Sequence, residues 1–276
     1  MKNRITELLD IEYPIISAAM TWVTSAEFVA AVSNAGGMGV LGPNAGQTEK
    51  SSSPEDTAER LRKEIQKVKQ LTEKNRLKEH HINIIYRDLS PTVQKLVEAG
   101  KSGVDALIAT GYEAGGHMSD YKISTLSLVP QVTSLVNIPV IAAGGIIDGK
   151  GAKAAFAMGA EGVYMGTRFI ATKENPARDA TKQAILNVNS EEFIEFKSGI
   201  GHLRTIPTEA GKKAFELINQ GKPDEAYKYY GNGFKIGMLD GDLVNGTISL
   251  SEAAGGIKEI KTCAEVINEI MSTLEK

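Results

Sequence analysis

The chain has 276 residues, 42% of them hydrophobic, and a formal net charge of −3. A balance this close to neutral provides no basic surface for nucleic acid or an anionic membrane, so neither is expected as a partner. No apolar run reaches the roughly 20 residues that a membrane span needs, and the polar start of the chain lacks the apolar core of a signal peptide. Cys263 is the one cysteine, which excludes an internal disulfide and a cysteine-based zinc cluster. These features predict a cytoplasmic protein without a metal site.

Strand-like and helix-like segments alternate through the first two thirds of the chain, which is typical of a parallel sheet covered by helices. Six strands are predicted, at residues 13–20, 37–42, 81–86, 104–110, 138–145 and 162–166. The helices between them are predicted at residues 25–34, from 53 onward, and at 91–100, 126–136 and 151–158. The pattern predicts an α/β fold of the TIM-barrel type, a parallel β/α barrel shortened to about six strands.

The alternation stops after Phe169, and residues 171–276 read as mainly helical. We therefore expect two parts, a β/α barrel core over residues 1–170 and a helical extension over residues 171–276 that covers the barrel mouth as a lid. The final helix is predicted from about Thr262 to Leu274, docked on the outside of the barrel, with Cys263 as a small core residue.

The segment 104–117 carries the first candidate for chemistry. Its apolar run ends at Thr110, and the loop Gly111-Tyr-Glu-Ala-Gly-Gly-His117 follows. Catalytic residues of β/α barrels lie just past the carboxyl ends of the strands, and histidine exchanges protons near neutral pH. His117 is therefore the candidate catalytic residue. A loop histidine that only caps a turn is the alternative.

Two consecutive strand ends carry small residues, in Ala142-Ala-Gly-Gly-Ile146 and in Tyr164-Met-Gly-Thr-Arg168. In β/α barrels, the loops after the last two strands often bind phosphate together with the N-terminus of a short helix. Backbone N–H groups at a helix start carry partial positive charge, and glycine admits close approach of a ligand. The pattern predicts a phosphate site to which the Thr167 hydroxyl adds a donor. Glycine turns chosen for tight packing are the alternative.

Three other polar positions lie near the same predicted mouth. Arg87-Asp88 follows the third predicted strand and either contacts a ligand or forms a local ion pair. Glu113, four residues before His117, could orient the histidine, bind a cation or remain solvated. His202 lies in the predicted lid and is a candidate substrate contact.

Together these motifs resemble the nitronate monooxygenase (2-nitropropane dioxygenase-like) family of FMN barrels, which also contains the FMN-dependent enoyl-acyl-carrier-protein reductases. The matching segments occur in the family's order, at residues 13–20, 32–39, 111–117, 142–146 and 162–169. The resemblance is specific over about residues 1–75 and 80–185 and weakens towards the C-terminus. It implies an FMN-dependent oxidoreductase, in which the protein positions the flavin and the flavin carries the redox chemistry.

The resemblance also implies roles for individual residues. The residues that would lie along the flavin ring are Ala18, Ala19 and Met20. Those that would hold the FMN phosphate are Gly144, Gly145, Gly166 and Thr167. His117 would lie beside the reactive side of the ring, where it would stabilise, deprotonate or protonate the substrate.

One departure from the family is large. A barrel of this type has eight strand-helix units, whereas this sequence predicts six, with an apparent join at Lys74-Asn75. Family members have two more strands there, one of which carries an asparagine that contacts the pyrimidine end of the flavin. The departure predicts weaker flavin binding and either an opened or strained barrel or an intertwined homodimer.

Three functions are compatible with these observations. The first is an enzyme that oxidises alkyl nitronates with oxygen. The second is an NADH-dependent enoyl-thioester reductase, for which NAD(P)H would be a co-substrate. The third is a non-catalytic shortened homologue that binds FMN weakly.

Overall fold

A computed structural model describes residues 2–73, 84–88, 91–199 and 201–276. The predicted join at Lys74-Asn75 lies outside the described residues. The helices are α1 (Arg4–Leu9), α2 (Ala26–Asn34), α3 (Pro54–Leu71), α4 (Val93–Lys101), α5 (Thr125–Leu135), α6 (Gly149–Ala157), α7 (Thr167–Ile170), α8 (Asp179–Asn187), α9 (Glu209–Asn219), α10 (Pro223–Tyr230) and α11 (Cys263–Leu274). The strands are β1 (Ile15–Ser17), β2 (Ile85–Arg87), β3 (Ala106–Thr110), β4 (Gly116–Met118), β5 (Val140–Ala143), β6 (Gly162–Met165), β7 (Ile194–Ser198) and β8 (Gly201–Thr205).

The central sheet has five parallel strands in the order β1-β6-β5-β3-β2. Every residue of β3 and β5 is buried, as expected for parallel strands that are covered on both faces. The sheet curls into a half-barrel with helices packed around it. The prediction of an α/β, TIM-barrel-like fold is confirmed.

Among the described residues, the parallel sheet has five strands, where the sequence predicted about six. Of the predicted strand at residues 37–42, only Met38 forms a bridge, to Ile16 of β1. The cause lies in its glycines, because a Cβ at Gly39 would lie 2.4 Å from the carbonyl oxygen of Val29. The segment packs against the backbone of α2 instead of extending the sheet. Strand β2 begins at Ile85, and residues 81–83 of the predicted third strand lie outside the described residues.

The described strands do not close into a ring. β2 forms one edge of the sheet and β1 the other. Beyond β1, the described residues form a single bridge, between Ile16 and Met38. Among the described strands, the half-barrel is therefore open between β2 and Met38, which is one of the alternatives predicted from the shortened sequence.

The extension after residue 170 contains a second sheet that the helical prediction missed. β7 and β8 form an antiparallel hairpin, and β8 pairs on its other side with β4. Phe196 and Leu203 each stand between two polar residues in the sequence, and these two pack against α9 and α10. This period of two is a strand signal, which the high content of glycine and lysine in the segment obscured.

The main core lies between the half-barrel and its helices. Phe28 of α2 and Phe169 of α7 are fully buried, with ring centroids 6.2 Å apart in an edge-to-face arrangement. Helix α11 docks on the outside against α6 and α2. Cys263 at its start is a buried core residue, as predicted, and burial raises the pKa of its thiol to about 12. Within the described ranges, no helix is both long and apolar enough to cross a membrane.

Replacement of Phe169 tests the packing of the core. We expect Phe169→Ala to lower the free energy of unfolding by about 3–5 kcal/mol, because it leaves a cavity against Phe28. Phe215, which is 37% exposed on α9, provides the control, and Phe215→Ala should cost about 0.5 kcal/mol. Urea unfolding of both variants measures the difference, and equal costs would contradict this account of the core.

The open edge of the half-barrel predicts a homodimer, since an unpaired parallel edge tends to be covered by a partner. Size-exclusion chromatography with light scattering measures the mass directly. A stable monomer at micromolar concentration would contradict the prediction.

Candidate active site

One cleft opens at the carboxyl ends of β1, β3, β5 and β6. It collects all eight residues to which the family resemblance assigns a role with the flavin or the substrate: Ala18, Ala19, Met20, His117, Gly144, Gly145, Gly166 and Thr167. The convergence follows from the parallel sheet, because Ala18 follows β1, Gly144 follows β5 and Gly166 follows β6. Residues far apart in the chain thus meet at one edge of the sheet.

The two glycine turns are built for close backbone approach. Gly144 and Gly145 have φ values of 95° and 72°, in the left-handed region that favours glycine. A Cβ at Gly144 would lie 2.7 Å from the carbonyl oxygen of Gly111. Within the described part of the chain, the backbone N–H groups of Gly145, Gly166 and Thr167 donate to no acceptor. These groups are free to bind an anion in the cleft.

Polar side chains that the sequence did not single out complete this part of the cleft. Thr110 ends β3, and its buried hydroxyl has no hydrogen-bond partner among the described residues. The Thr167 hydroxyl accepts from the backbone N–H of Ser251 at 2.9 Å, so its own proton remains free to donate. Ser249 also lines the cleft. No local motif marks Ser249 and Ser251, because the fold alone brings them to the cleft.

These features fit a mononucleotide such as FMN. A phosphate group needs several convergent hydrogen-bond donors, and the free N–H groups of Gly145, Gly166 and Thr167 supply them. The unpartnered hydroxyl of Thr110 can bond a polar edge of the ligand, and the apolar side chains of Ala18 and Met20 supply surface for a ring.

His117 lies on strand β4, where it pairs with Leu203 of β8. The sequence placed it in a loop, but the loop ends at Gly116, where pairing with Arg204 begins. The imidazole is half-buried, and its ring centroid lies 6.1 Å from that of Phe234. Burial lowers the pKa of His117, so the ring is neutral at pH 7 and keeps one nitrogen able to accept a proton.

Arg204, a fully buried residue of β8, binds the backbone of the loop between β3 and β4. Its Nη1 donates to the carbonyl oxygens of Tyr112 at 3.0 Å and Ala114 at 2.7 Å. Its Nη2 forms ion pairs with Glu195 at 2.5 Å and Glu252 at 2.8 Å. Arg204 therefore fixes the path of the backbone that leads to His117, a role that sequence reasoning missed.

Tyr112 belongs to the same network. The Arg204 guanidinium carbon lies 5.0 Å from the Tyr112 ring centroid, and the Tyr112 hydroxyl donates to Glu195. Burial, with the hydrogen bond to Glu195, raises the pKa of Tyr112 well above its ordinary value. Burial alone would raise the pKa of Glu195, but the hydrogen bond from Tyr112 and the charge of Arg204 lower it overall. Glu195 thus stays ionised as the partner of Arg204.

Glu113 does not orient His117. Its carboxylate accepts hydrogen bonds from the backbone N–H of Thr125 at 2.8 Å and from the Thr125 hydroxyl at 3.0 Å. It therefore stabilises the start of α5. His202 does not line the cleft; its Nε2 lies 3.3 Å from a carboxylate oxygen of Asp120.

Arg87 and Asp88 have different surroundings. Asp88 accepts from the Tyr86 hydroxyl at 3.0 Å and forms a local ion pair with Lys95 at 3.4 Å. Arg87 lines the cleft. In the residues that the structure describes, no three His, Cys, Asp or Glu side chains are grouped to hold a metal ion.

The half-barrel and a cleft at its strand ends define a β/α-barrel protein with a binding site at the usual face of that fold. The model of the nitronate monooxygenase family matches the chain over residues 2–77 and 73–273. The chain belongs to this family. Its two matched blocks meet where the sequence predicts the join.

Individual relatives agree with this assignment. A probable nitronate monooxygenase from Staphylococcus aureus is 31% identical, over 73% of this chain and 77% of the relative. The solved structure of FabK from Thermotoga maritima has a TM-score of 0.85 and 30% identity, covering 100% of this chain and 96% of FabK. A nitroalkane oxidase from Streptomyces ansochromogenes shares the fold, with a TM-score of 0.78 at 20% identity over 99% of this chain and 98% of the oxidase.

Removal of the Arg204 charge tests the network that Arg204 forms with Glu195, Glu252 and the loop between β3 and β4. We expect Arg204→Met to lower the free energy of unfolding by about 3 kcal/mol, because Glu195 and two carbonyl groups lose their partner. Arg62→Met, which breaks an exposed pair with Glu59, should cost about 0.5 kcal/mol or less. Chemical unfolding of these two variants, of Glu195→Gln and of the double variant Arg204→Met/Glu195→Gln measures the coupling. If the double variant lost as much free energy of unfolding as the two single variants together, Arg204 and Glu195 would not be coupled and the network would be refuted.

The pKa of His117 generates a prediction about pH. The folded protein binds the His117 proton less readily than the unfolded chain does, since burial lowers the pKa. Neutral His117 contributes fully to the free energy of unfolding above about pH 6.5, the ordinary histidine pKa. This contribution is lost as the pH falls through the lower pKa of the folded state. Between pH 7.5 and 5, the wild-type protein should therefore lose more stability than His117→Gln.

Histidine NMR signals provide the direct check, because the chain has four histidines. The signal that disappears in His117→Gln should have a titration midpoint below about 6.5. A higher midpoint would show that the imidazole is not desolvated in the cleft.

Proposed function

We propose that the protein is an FMN-dependent oxidoreductase that oxidises alkyl nitronates with oxygen. The observation that carries the proposal is the convergence, in one cleft, of His117 with the free N–H groups at the ends of β5 and β6. Membership of the nitronate monooxygenase family supports the choice of reaction.

The roles of the chain's residues follow from their chemistry. Gly144, Gly145, Gly166 and Thr167 would hold the FMN phosphate through N–H groups and a hydroxyl. Ala18, Ala19 and Met20 would provide the surface along the ring. When bound, the flavin would supply the electron transfer that no side chain of the cleft can perform.

His117 would handle the proton and the charge of the substrate. A neutral imidazole can accept the proton of a nitroalkane carbon at one ring nitrogen or donate a hydrogen bond to a nitronate oxygen. The edge of Phe234 and the burial of the ring exclude part of the water that would otherwise compete. The Arg204 network fixes the backbone on which His117 stands.

A second candidate function is the NADH-dependent reduction of an enoyl thioester. It is supported by the likeness to FabK over the whole chain, taken together with the resemblance to the family's enoyl reductases. The open half-barrel supports a third candidate, a non-catalytic homologue that binds FMN weakly.

Trp22 makes flavin binding measurable. It is the one tryptophan of the chain and lines the cleft. We expect added FMN to quench its fluorescence, and we expect Gly145→Ala to weaken binding by about tenfold or more because φ there is positive and an N–H donor is displaced. Gly103→Ala is the matched control, since Gly103 also has a positive φ, of 88°, but lies outside the cleft. Absence of quenching in the wild-type protein would favour the non-catalytic homologue.

Assays of the flavin-loaded protein identify the reaction. Oxygen uptake and nitrite release with propyl-1-nitronate, without anaerobic flavin bleaching by NADH, are the expected results. Rapid bleaching by NADH with turnover of an enoyl thioester would overturn the oxidase in favour of the reductase. In either case, His117→Gln should lower turnover by about 100-fold.

A further inference from the structure

Arg87 stands out among the residues that line the cleft. Among the described lining residues it is the one with a full charge at neutral pH, since none is Asp, Glu or Lys and His117 is neutral. In the structurally described chain, its guanidinium forms no ion pair or hydrogen bond. Its nearest carboxylate neighbour in sequence, Asp88, is bound to Tyr86 and Lys95. Within the described residues, the cleft therefore carries a positive charge that no lining carboxylate compensates.

The guanidinium has a defined position. Its central carbon lies 5.7 Å from the ring centroid of Tyr164, a residue of β6 that also lines the cleft. The Tyr164 hydroxyl is fixed in turn by the backbone N–H of Ala19, which donates to it at 2.7 Å. A contact between a cation and an aromatic face orients the guanidinium but satisfies none of its five N–H donors. Those donors are available to a ligand.

We infer that Arg87 binds an anionic group of the substrate and thereby determines specificity for anions over neutral analogues. The inference rests on the proposed function and adds a specificity residue to it. A guanidinium presents two parallel N–H donors, which match the two oxygens of a planar oxyanion such as a nitronate or a carboxylate. A nitronate carries this charge, whereas its parent nitroalkane is neutral. Arg87 therefore favours the deprotonated substrate.

The test compares one carbon skeleton in two charge states. In Arg87→Met, we expect the KM for propyl-1-nitronate to rise about tenfold, while the KM for neutral 1-nitropropane changes by less than about twofold. Arg87→Lys keeps the charge and should retain most of the affinity, within about threefold. The wild-type KM for the nitronate should also rise with ionic strength, because Arg87 is solvent-exposed. Arg62→Met on α3 is the control for loss of an exposed arginine.

A second measurement does not depend on turnover. Propionate is an unreactive planar anion of similar size, and its binding can be followed by Trp22 fluorescence or by the flavin absorbance of the loaded protein. We expect Arg87→Met to weaken propionate binding about tenfold and to leave FMN affinity unchanged within about twofold.

The outcomes separate this inference from the proposed function. If the wild-type protein takes up no FMN, the proposed function fails, and the propionate titration still decides the role of Arg87. Equal effects of Arg87→Met on the anion and the neutral compound, or no effect on either, would overturn the inference. A loss of FMN affinity without a change in propionate binding would also overturn it, since Arg87 would then bind the cofactor.

Discussion

The arrangement of the cleft depends on one buried guanidinium. Arg204 is fully buried, and water cannot solvate its charge, so Glu195 and Glu252 must balance it. Having satisfied these ion pairs, the same group binds two carbonyl oxygens of the loop between β3 and β4. A glycine-rich loop has little side-chain packing of its own, so its path needs an external support of this kind. The position of His117 therefore depends on a residue of a hairpin that follows it by more than 80 positions in the chain.

The sequence predicted the parts of the fold whose signals are local. Continuous apolar runs identified β3 and β5, and the helices predicted from residues 25 and 53 begin where Ser25 and Ser53 cap α2 and α3. The cleft residues were predictable because catalytic and phosphate-binding groups of this fold stand at strand ends. Arg204, Thr110 and Ser251 were not predictable, since their roles arise from tertiary contacts and their local sequence resembles ordinary strand or loop. The segment at residues 37–42 was assigned to a strand because its composition suits one, and packing against α2 overrode that preference.

The strands of the half-barrel differ in the number of neighbours that stabilise them. In a closed barrel each strand has two neighbours, whereas β2 has only β3 within the described sheet. The glycine turns that we propose to bind phosphate lie at β5 and β6, in the middle of the sheet, where the ladder is continuous. Arg87 lies on β2 at the edge. The strands with two neighbours thus carry the groups that we propose to need fixed geometry, whereas Arg87 on the edge strand is oriented by its contact with Tyr164 of β6.

The bonds between the cleft and the end of the chain have a consequence for biogenesis. Ser249 accepts from the N–H of Gly116 across 133 positions, and Ser251 donates to the Glu113 carbonyl across 138. The ribosome releases the half-barrel strands long before these serines are synthesised, and contacts of such separation close slowly. The nascent protein can therefore assemble its sheet during translation, but its cleft reaches final form only once the last part of the polypeptide has emerged and docked.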